Sequence, residues 1–232
     1  MSFSQEDLAL PTSFSGLVRL FPLPNLVLFP GVIQGLHIFE PRYRELMKDS
    51  LAADGLITIS LLKPEWELVG NENPPIHETV CIGKIVTHAK TEDGRYNLLL
   101  IGVQRARILR EIHSERPYRL AQVEIMEDAD GLNSEQQILW RDQLLRQFRI
   151  FAESRNLLEN DSIQQLLSKD VPLGLLTDLI GFFTGAASDQ LQAILETVNL
   201  VDRVEKVLQL MAINRVSGRD EQSDFPPRFS SN

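Results

Sequence analysis

The chain has 232 residues, of which 43% are hydrophobic and 24% are charged, and these proportions are typical of a compact soluble protein with a sizeable core. The net charge of −9 arises from 32 acidic and 23 basic residues, and neither half of the chain is basic, which argues against nucleic-acid binding because such binding depends on Lys and Arg at phosphates. A single cysteine, Cys81, excludes an internal disulfide, and Glu6 and Asp7 stand where a signal peptide would be positively charged, so we expect a cytoplasmic protein.

Closely spaced prolines shape the N-terminal part of the chain. Residues 1–15 are expected to be flexible, and residues 20–47 have the sequence LFPLPNLVLFPGVIQGLHIFEPRYRELM. Because proline fixes φ and has no N–H, this run predicts short, bent strand pieces instead of one long central strand. A strand is predicted over residues 33–39, and Pro41 suits the first turn of a helix that continues to about residue 53.

Strand patterns continue up to an acidic, glycine-containing break at residues 127–133. The Asp93-Gly94 pair predicts a hairpin turn, and Gly102 predicts a bulge or kink. The predicted strands cover residues 56–62, 79–89, 96–103, 105–112 and 118–126. Together with one helix, these strands predict a partly closed barrel or a curled sheet.

The pattern becomes helical after the break. Ser134 and Gln137 match a capping box, and large apolar side chains then recur at steps of four and three residues up to Phe151. Further helices are predicted to begin near residues 162, 172, 188 and 200, with apolar stripes on one side only, so they must pack on each other or on the barrel. The predicted domains are a flexible N-terminus at 1–15, a β-rich lobe at 16–130, an α-helical lobe at 131–215 and a disordered tail at 216–232.

Three separated blocks of sequence resemble one protein family. They are residues 20–47, the run LLLIGVQRARI at residues 98–108 with the strand at 118–124, and residues of the closing helices between 176 and 203. In this order and spacing, over residues 17–212, they resemble the N-terminal domain of Lon protease, which also occurs as a stand-alone protein. The resemblance implies an α+β fold, with a PUA-like β pseudo-barrel carrying one helix, followed by a C-terminal α-helical bundle. It also implies a substrate-recognition role connected with proteolysis and protein quality control.

Sequence features that would support catalysis were not found. A phosphate-binding loop ends in Gly-Lys-Ser or Gly-Lys-Thr, whereas Gly83-Lys84 is followed by Ile85, and the ATPase and Ser–Lys peptidase modules of a full Lon protease are missing. The histidines and Cys81 have no recognised metal-ligand spacing, and no apolar run approaches the roughly 20 residues of a membrane-spanning helix. We therefore expect no enzyme activity, no cofactor, no metal site and no membrane partner.

The apolar residues of the Pro-rich region divide between core and binding surface. Most are expected in the core, but a binding protein needs some exposed apolar surface. The segment at residues 63–76 is long for a loop and carries Trp66, which either covers a groove or is pinned in the core; both alternatives remain open. The candidate polypeptide-binding residues are Phe29, Phe39, Tyr43 and Trp66. Cys81 is expected to be a buried strand residue and His37 a structural imidazole.

Two classes of function remain. The favoured one is a non-catalytic module that binds unfolded or partner polypeptides by burying apolar side chains and by adding a peptide strand to an open barrel edge. The alternative is nucleic-acid or nucleotide-type binding by analogy with PUA-like folds. The densest basic stretch, Arg105, Arg107 and Arg110, is expected to be a solvated strand face, which does not favour the alternative. Weak self-association is left open.

Overall fold

The computed structural model describes residues 9–64, 66, 73–129, 131–168 and 171–216, with the backbone alone at 162, 165, 168 and 216. The expected flexibility of residues 1–8 and disorder of residues 217–232 concern parts of the chain outside the described residues. The described chain forms two compact units that divide between Met126 and Glu127. The domain limits inferred from the sequence stay a prediction.

The first unit contains the strands and one helix. The elements are β1 (Leu17–Leu23), β2 (Ile33–Ile38), α1 (Pro41–Ala52), β3 (Leu56–Leu61), β4 (Thr79–Lys90), β5 (Tyr96–Ile112) and β6 (Leu120–Ile125). Proline occupies the first turn of α1, as predicted. Backbone N–H groups in this turn have no acceptor within the helix, so the lack of an N–H in proline costs no hydrogen bond. The two strands predicted on either side of Gly102 form the single strand β5, whose register with β4 shifts next to this glycine, between Ile82 and Gly83.

Strand β5 closes the sheet because it is long enough to pair with three other strands. It pairs with β4, while its N-terminal half pairs with β2 and its C-terminal half pairs with β6. Since β6 also pairs with β1, the strands β5, β4, β3, β1 and β6 form a closed ring with β2 outside it. The predicted α+β fold is confirmed, and the barrel is closed where the sequence predicted partial closure.

The barrel has an apolar interior to which every strand of the ring contributes. We call this set of buried residues the barrel cluster; its members are Val18, Leu20, Leu56, Ile76, Val80, Ile82, Ala106, Ala121 and Val123. Burial of each large side chain contributes about 1.5–3 kcal/mol relative to exposure. On the opposite face of β1, Phe21 packs against Tyr43 of α1, with ring centroids 4.4 Å apart.

The second unit is helical. Its helices are α2 (Ser134–Ser154), α3 (Asp161–Ser168), α4 (Leu173–Phe183), α5 (Ser188–Leu195) and α6 (Leu200–Val216). The capping box predicted at Ser134 lies one residue earlier: the Gln136 N–H donates to Oδ1 of Asn133 at 2.9 Å, and the Asn133 N–H donates to Oε1 of Gln136 at 3.0 Å. Asparagine and serine are about equally favourable at the N-cap, so Asn133 can cap α2 in place of Ser134.

A buried ion cluster joins the start of this unit to its last helix. Arg203 is fully buried and donates two hydrogen bonds to Asp128, while its Nε lies 3.5 Å from Oδ1 of the buried Asp178. A Cβ added at Gly174 would lie 2.1 Å from Oδ2 of Asp128, so a larger residue at that position would collide with the cluster. Buried charges of this kind are tolerated only when they are paired.

Candidate polypeptide-binding site

Two of the four candidate residues are part of the core. Phe29 has 0% exposure, so its side chain cannot meet a partner while the protein is folded, and its selection as a binding residue was wrong. Tyr43 is 6% exposed and packs on Phe21, with the Arg42 guanidinium 4.7 Å from the ring centroid. Burial raises the pKa of the Tyr43 phenol to about 12, which keeps it neutral.

Phe39 is half-buried and lies where β2 leads into α1. We call this region the β2–α1 corner and define it as His37, Phe39, Glu40 and Arg42. The rings of His37 and Phe39 stack with centroids 6.1 Å apart, and Glu40 pairs with Arg42 at 2.9 Å. The corner therefore combines partly exposed aromatic area with an ion pair.

Asn97 on β5 orients the imidazole of this corner. Nδ1 of His37 lies 2.7 Å from Oδ1 of Asn97. An amide oxygen only accepts hydrogen bonds, so Nδ1 carries the proton and Nε2 of a neutral ring is left as an acceptor. The hydrogen bond supports the structural role predicted for His37.

Trp66 is also half-buried, but it lies elsewhere. It follows the C-terminal end of β3, next to the start of β4, and its backbone N–H donates to the Lys63 carbonyl at 3.0 Å. The β2–α1 corner instead follows the Ile38–Tyr96 pair, at the end of β4 where Lys90 pairs with Tyr96. The register thus places Phe39 and Trp66 near opposite ends of β4. Whether the 63–76 segment covers a groove stays open, because residues 65 and 67–72 lie outside the described residues.

Closure of the ring leaves β2 outside it, with one side of the strand open along its whole length in the described part of the sheet. It pairs with β5 on one side only. Ile33 and His37 are half-buried, whereas the other residues of β2 are buried, and the Gly35 carbonyl accepts a hydrogen bond from Nε2 of Gln34 at 3.0 Å. Strand addition at an open backbone edge is therefore available along β2, where only part of the strand is accessible, and along residues 86–90 of β4, which extend beyond the pairing with β3.

The basic residues of β5 do not form a continuous face. Arg105 is 3% exposed because its register places it opposite the buried Cys81, so the predicted solvated face was wrong at this position. Arg107 is exposed and pairs with Glu124, and Arg110 is exposed. The burial of Cys81 agrees with its predicted place in a strand.

Other basic residues of this unit are matched by carboxylates. Arg119 pairs with Glu111 at 2.5 Å, and Arg116 pairs with Asp49 at 2.8 Å. Tyr118 also donates to Asp49, and burial together with this hydrogen bond raises the pKa of its phenol to about 12. These pairs leave little uncompensated positive charge for a phosphate backbone.

Within the described residues there is no cluster of three or more His, Cys, Asp or Glu side chains able to hold a metal ion. Nor does any helix in this part of the chain combine the length and the apolar character that a bilayer crossing requires.

Residues 18–212 match the family model of the ATP-dependent protease La (LON) substrate-binding domain. The chain belongs to this family. Among curated relatives, Lon protease from Dictyoglomus thermophilum is 27% identical over 191 residues, covering 82% of this chain and 24% of the relative. Lon protease 2 from Myxococcus xanthus is 28% identical over 198 residues, covering 84% of this chain and 23% of the relative. The chain thus spans less than a quarter of the length of these Lon proteases.

Solved structures of Lon N-terminal domains have the same fold. The Lon N-terminal domain protein from Xanthomonas campestris aligns with a TM-score of 0.58 at 21% identity, covering 83% of this chain and 97% of that one. The N-terminal domain of Lon protease from the Mycobacterium avium complex aligns with a TM-score of 0.67 at 16% identity, covering 84% and 98%. The fold implied by the resemblance is therefore confirmed.

Proposed function

We propose that this chain is a non-catalytic module that binds unfolded or partner polypeptides. The observation that carries the proposal is the family match over residues 18–212, because the matched domain is described by its binding of substrate. The Lon proteases align with this chain over 24% and 23% of their lengths, so the likeness extends to the substrate-binding domain alone. We propose neither ATP hydrolysis nor peptide cleavage, and we place the protein in cytoplasmic protein quality control.

The β2–α1 corner and the β2 edge support this proposal. Phe39 offers apolar area to a bound side chain, and burial of such area is the main source of free energy in polypeptide association. The edge of β2 offers backbone groups beside it, which would orient an extended peptide. Apolar contact with backbone pairing suits a binder of many sequences, because neither depends on one particular side-chain pattern.

The test is binding to one protein in its unfolded and folded forms. Fluorescein-labelled α-lactalbumin, either reduced and carboxymethylated or native, would be titrated with the chain while fluorescence anisotropy is recorded. We expect saturable binding of the unfolded form and none of the native form. Absence of binding to the unfolded form would contradict the proposal.

A salt titration of the same complex separates the two classes of function. Apolar association changes little with ionic strength, whereas phosphate binding weakens steeply as salt rises. A parallel titration with labelled single-stranded RNA gives the comparison. Tight, salt-sensitive RNA binding with no binding of unfolded protein would favour the nucleic-acid alternative, which is not supported by the paired basic residues described above.

A further inference from the structure

Residues 9–16, which we call the N-terminal arm, lie against the interior of the barrel. Leu10 and Phe14 are half-buried and pack on the barrel cluster, whereas Thr12 and Ser13 between them are exposed. The barrel cluster faces inward from every strand of the closed ring. A segment outside the strands can reach it only through an opening, so the arm covers an opening of the barrel.

The two ends of the arm are held by different forces. At the C-terminal end, the Val123 N–H donates to the Gly16 carbonyl at 2.8 Å, and Nε2 of Gln122 donates to the Ser15 carbonyl at 3.1 Å. Before Ser15, the hydrogen bond in the described arm is internal, from the Phe14 N–H to the Pro11 carbonyl at 2.9 Å. Apolar contact by Leu10 and Phe14 therefore holds this part on the barrel.

The arm precedes the part of the chain that the family shares. The family match begins at residue 18, whereas the whole barrel cluster lies inside the matched residues 18–212. The apolar surface beneath the arm thus belongs to the shared domain, and the chain's own segment occupies it. The occupant shows what the surface accepts: an aliphatic and an aromatic side chain four residues apart.

We propose that the N-terminal arm is a displaceable, built-in occupant of an apolar docking surface at the barrel opening. When the arm leaves, the surface takes a segment of another polypeptide that carries an aliphatic and an aromatic side chain four residues apart across a turn, as Leu10 and Phe14 are. The inference rests on the proposed polypeptide-binding function and adds that the arm limits it by competition.

The proposal predicts tighter binding when the arm is weakened. A competing internal segment lowers the apparent affinity by the fraction of molecules in which the surface is free. Replacing two partly buried apolar side chains removes enough contact for the double variant Leu10→Ser/Phe14→Ser to bind about tenfold more tightly. The matched control is Thr12→Ala/Ser13→Ala, which changes two exposed residues of the same arm.

The experiment uses the full chain and carboxymethylated α-lactalbumin as the probe. Tighter binding by the Leu10→Ser/Phe14→Ser variant, reversed by a synthetic peptide of residues 9–16 and absent from the control, supports the proposal. Equal affinities of the variant and the unmodified chain overturn it and leave the proposed function intact. Absence of binding by every version overturns the proposed function and, with it, the competition by the arm.

A measurement on the unmodified chain keeps the test decisive if the double variant does not fold. A saturating amount of the probe should displace the arm and raise the deuterium uptake of the Phe14 amide, which bonds to the Pro11 carbonyl while the arm is in place. The amide of Leu20, which bonds to the Arg119 carbonyl outside the arm, serves as the internal reference. Unchanged uptake at the Phe14 amide with the probe bound overturns the proposal.

Discussion

Arg203 donates hydrogen bonds to both carboxylate oxygens of Asp128, from Nη1 to Oδ1 at 2.8 Å and from Nη2 to Oδ2 at 2.6 Å, although the residues are 75 positions apart. The same guanidinium faces the buried Asp178. The cluster fixes the segment at Asp128 to α6, and the nearby backbone pairing of Ala129 with Asn199 reinforces this attachment. A bidentate pair with a planar guanidinium is a geometry that lysine cannot reproduce.

Replacement of this arginine should destabilise the helical unit severely. The Arg203→Met substitution leaves the buried carboxylate of Asp178 without its cation, and loss of one partner of a buried pair costs about 3–5 kcal/mol. Urea unfolding followed by circular dichroism would measure the loss. The control Arg215→Met changes an exposed arginine on the same helix and should leave stability within about 0.5 kcal/mol. A small loss for Arg203→Met would show that the cluster is not structural.

Gly102 should not tolerate even alanine. An added Cβ would lie 2.0 Å from the Phe29 carbonyl oxygen and 2.7 Å from the carbonyl carbon. Both are backbone atoms, so a change of side-chain rotamer cannot relieve the clash. We expect Gly102→Ala to cost about 3 kcal/mol or more, or to prevent folding. Gly131→Ala is the matched control because no atom lies within 4 Å of its added Cβ. Comparison of the two thermal unfolding midpoints tests the prediction, and equal midpoints would contradict it.

Alkaline pH should weaken the fold through Tyr43. Burial raises the pKa of this phenol from 10.0 to about 12, so between these values the unfolded chain releases a proton that the folded chain retains. The free energy of unfolding therefore falls as pH rises through this range. Below it, the stabilisation is fully present and does not vary with pH through this group. In urea titrations at several pH values, Tyr43→Phe should show a shallower fall than the unmodified chain. If the unfolding free energies of the two proteins fall equally with pH, Tyr43 is not the cause of the alkaline destabilisation.

Phe39 should contribute to polypeptide binding more than an exposed leucine of the same unit does. The Phe39→Ser substitution removes the partly exposed ring of the β2–α1 corner, and we expect about fivefold weaker binding of carboxymethylated α-lactalbumin. Leu51→Ser alters an exposed apolar residue at the other end of α1 and should have little effect. Fluorescence anisotropy measures both affinities. Equal affinities of these two variants would show that the corner is not the contact surface.

Trp66 provides an independent test because it lies near the opposite end of β4. If the corner is the main contact, Trp66→Ser should leave the affinity within about twofold of the unmodified chain. A loss as large as that expected for Phe39→Ser would mean that bound chains also meet the region after β3. The same anisotropy titration, with circular dichroism to verify folding, distinguishes these outcomes.

Features that depend on a few neighbouring residues could be predicted from the sequence. Pro41 begins α1 because its fixed φ suits a first helical turn, and Gly94 provides the positive φ, +82°, that the hairpin turn requires. The family resemblance extended this local reasoning to the whole fold. The matched residues 18–212 include part or all of every strand and helix described.

Features that depend on distant partners could not be predicted. Phe29 and Phe39 are identical residues on either side of β2, yet one is fully buried and the other half-buried, because the segment at Phe29 lies against β5 at Gly102. Arg105 and Arg107 differ for a related reason, since burial depends on what covers each strand position. The partner of Arg203 lies in another element, and nothing in the local pattern around either residue indicates their pairing.

Closure of the ring by β6 has a consequence for how the chain folds. Leu17 at the start of β1 pairs with Gln122 of β6, so the ring cannot close until more than one hundred residues have been synthesised. Contacts between such distant segments slow folding, because the intervening chain must be ordered first. Until β6 arrives, β1 and the C-terminal half of β5 present open backbone edges to other nascent chains. Premature termination before residue 120 should therefore yield aggregating fragments, whereas in the complete chain β6 covers both of these edges.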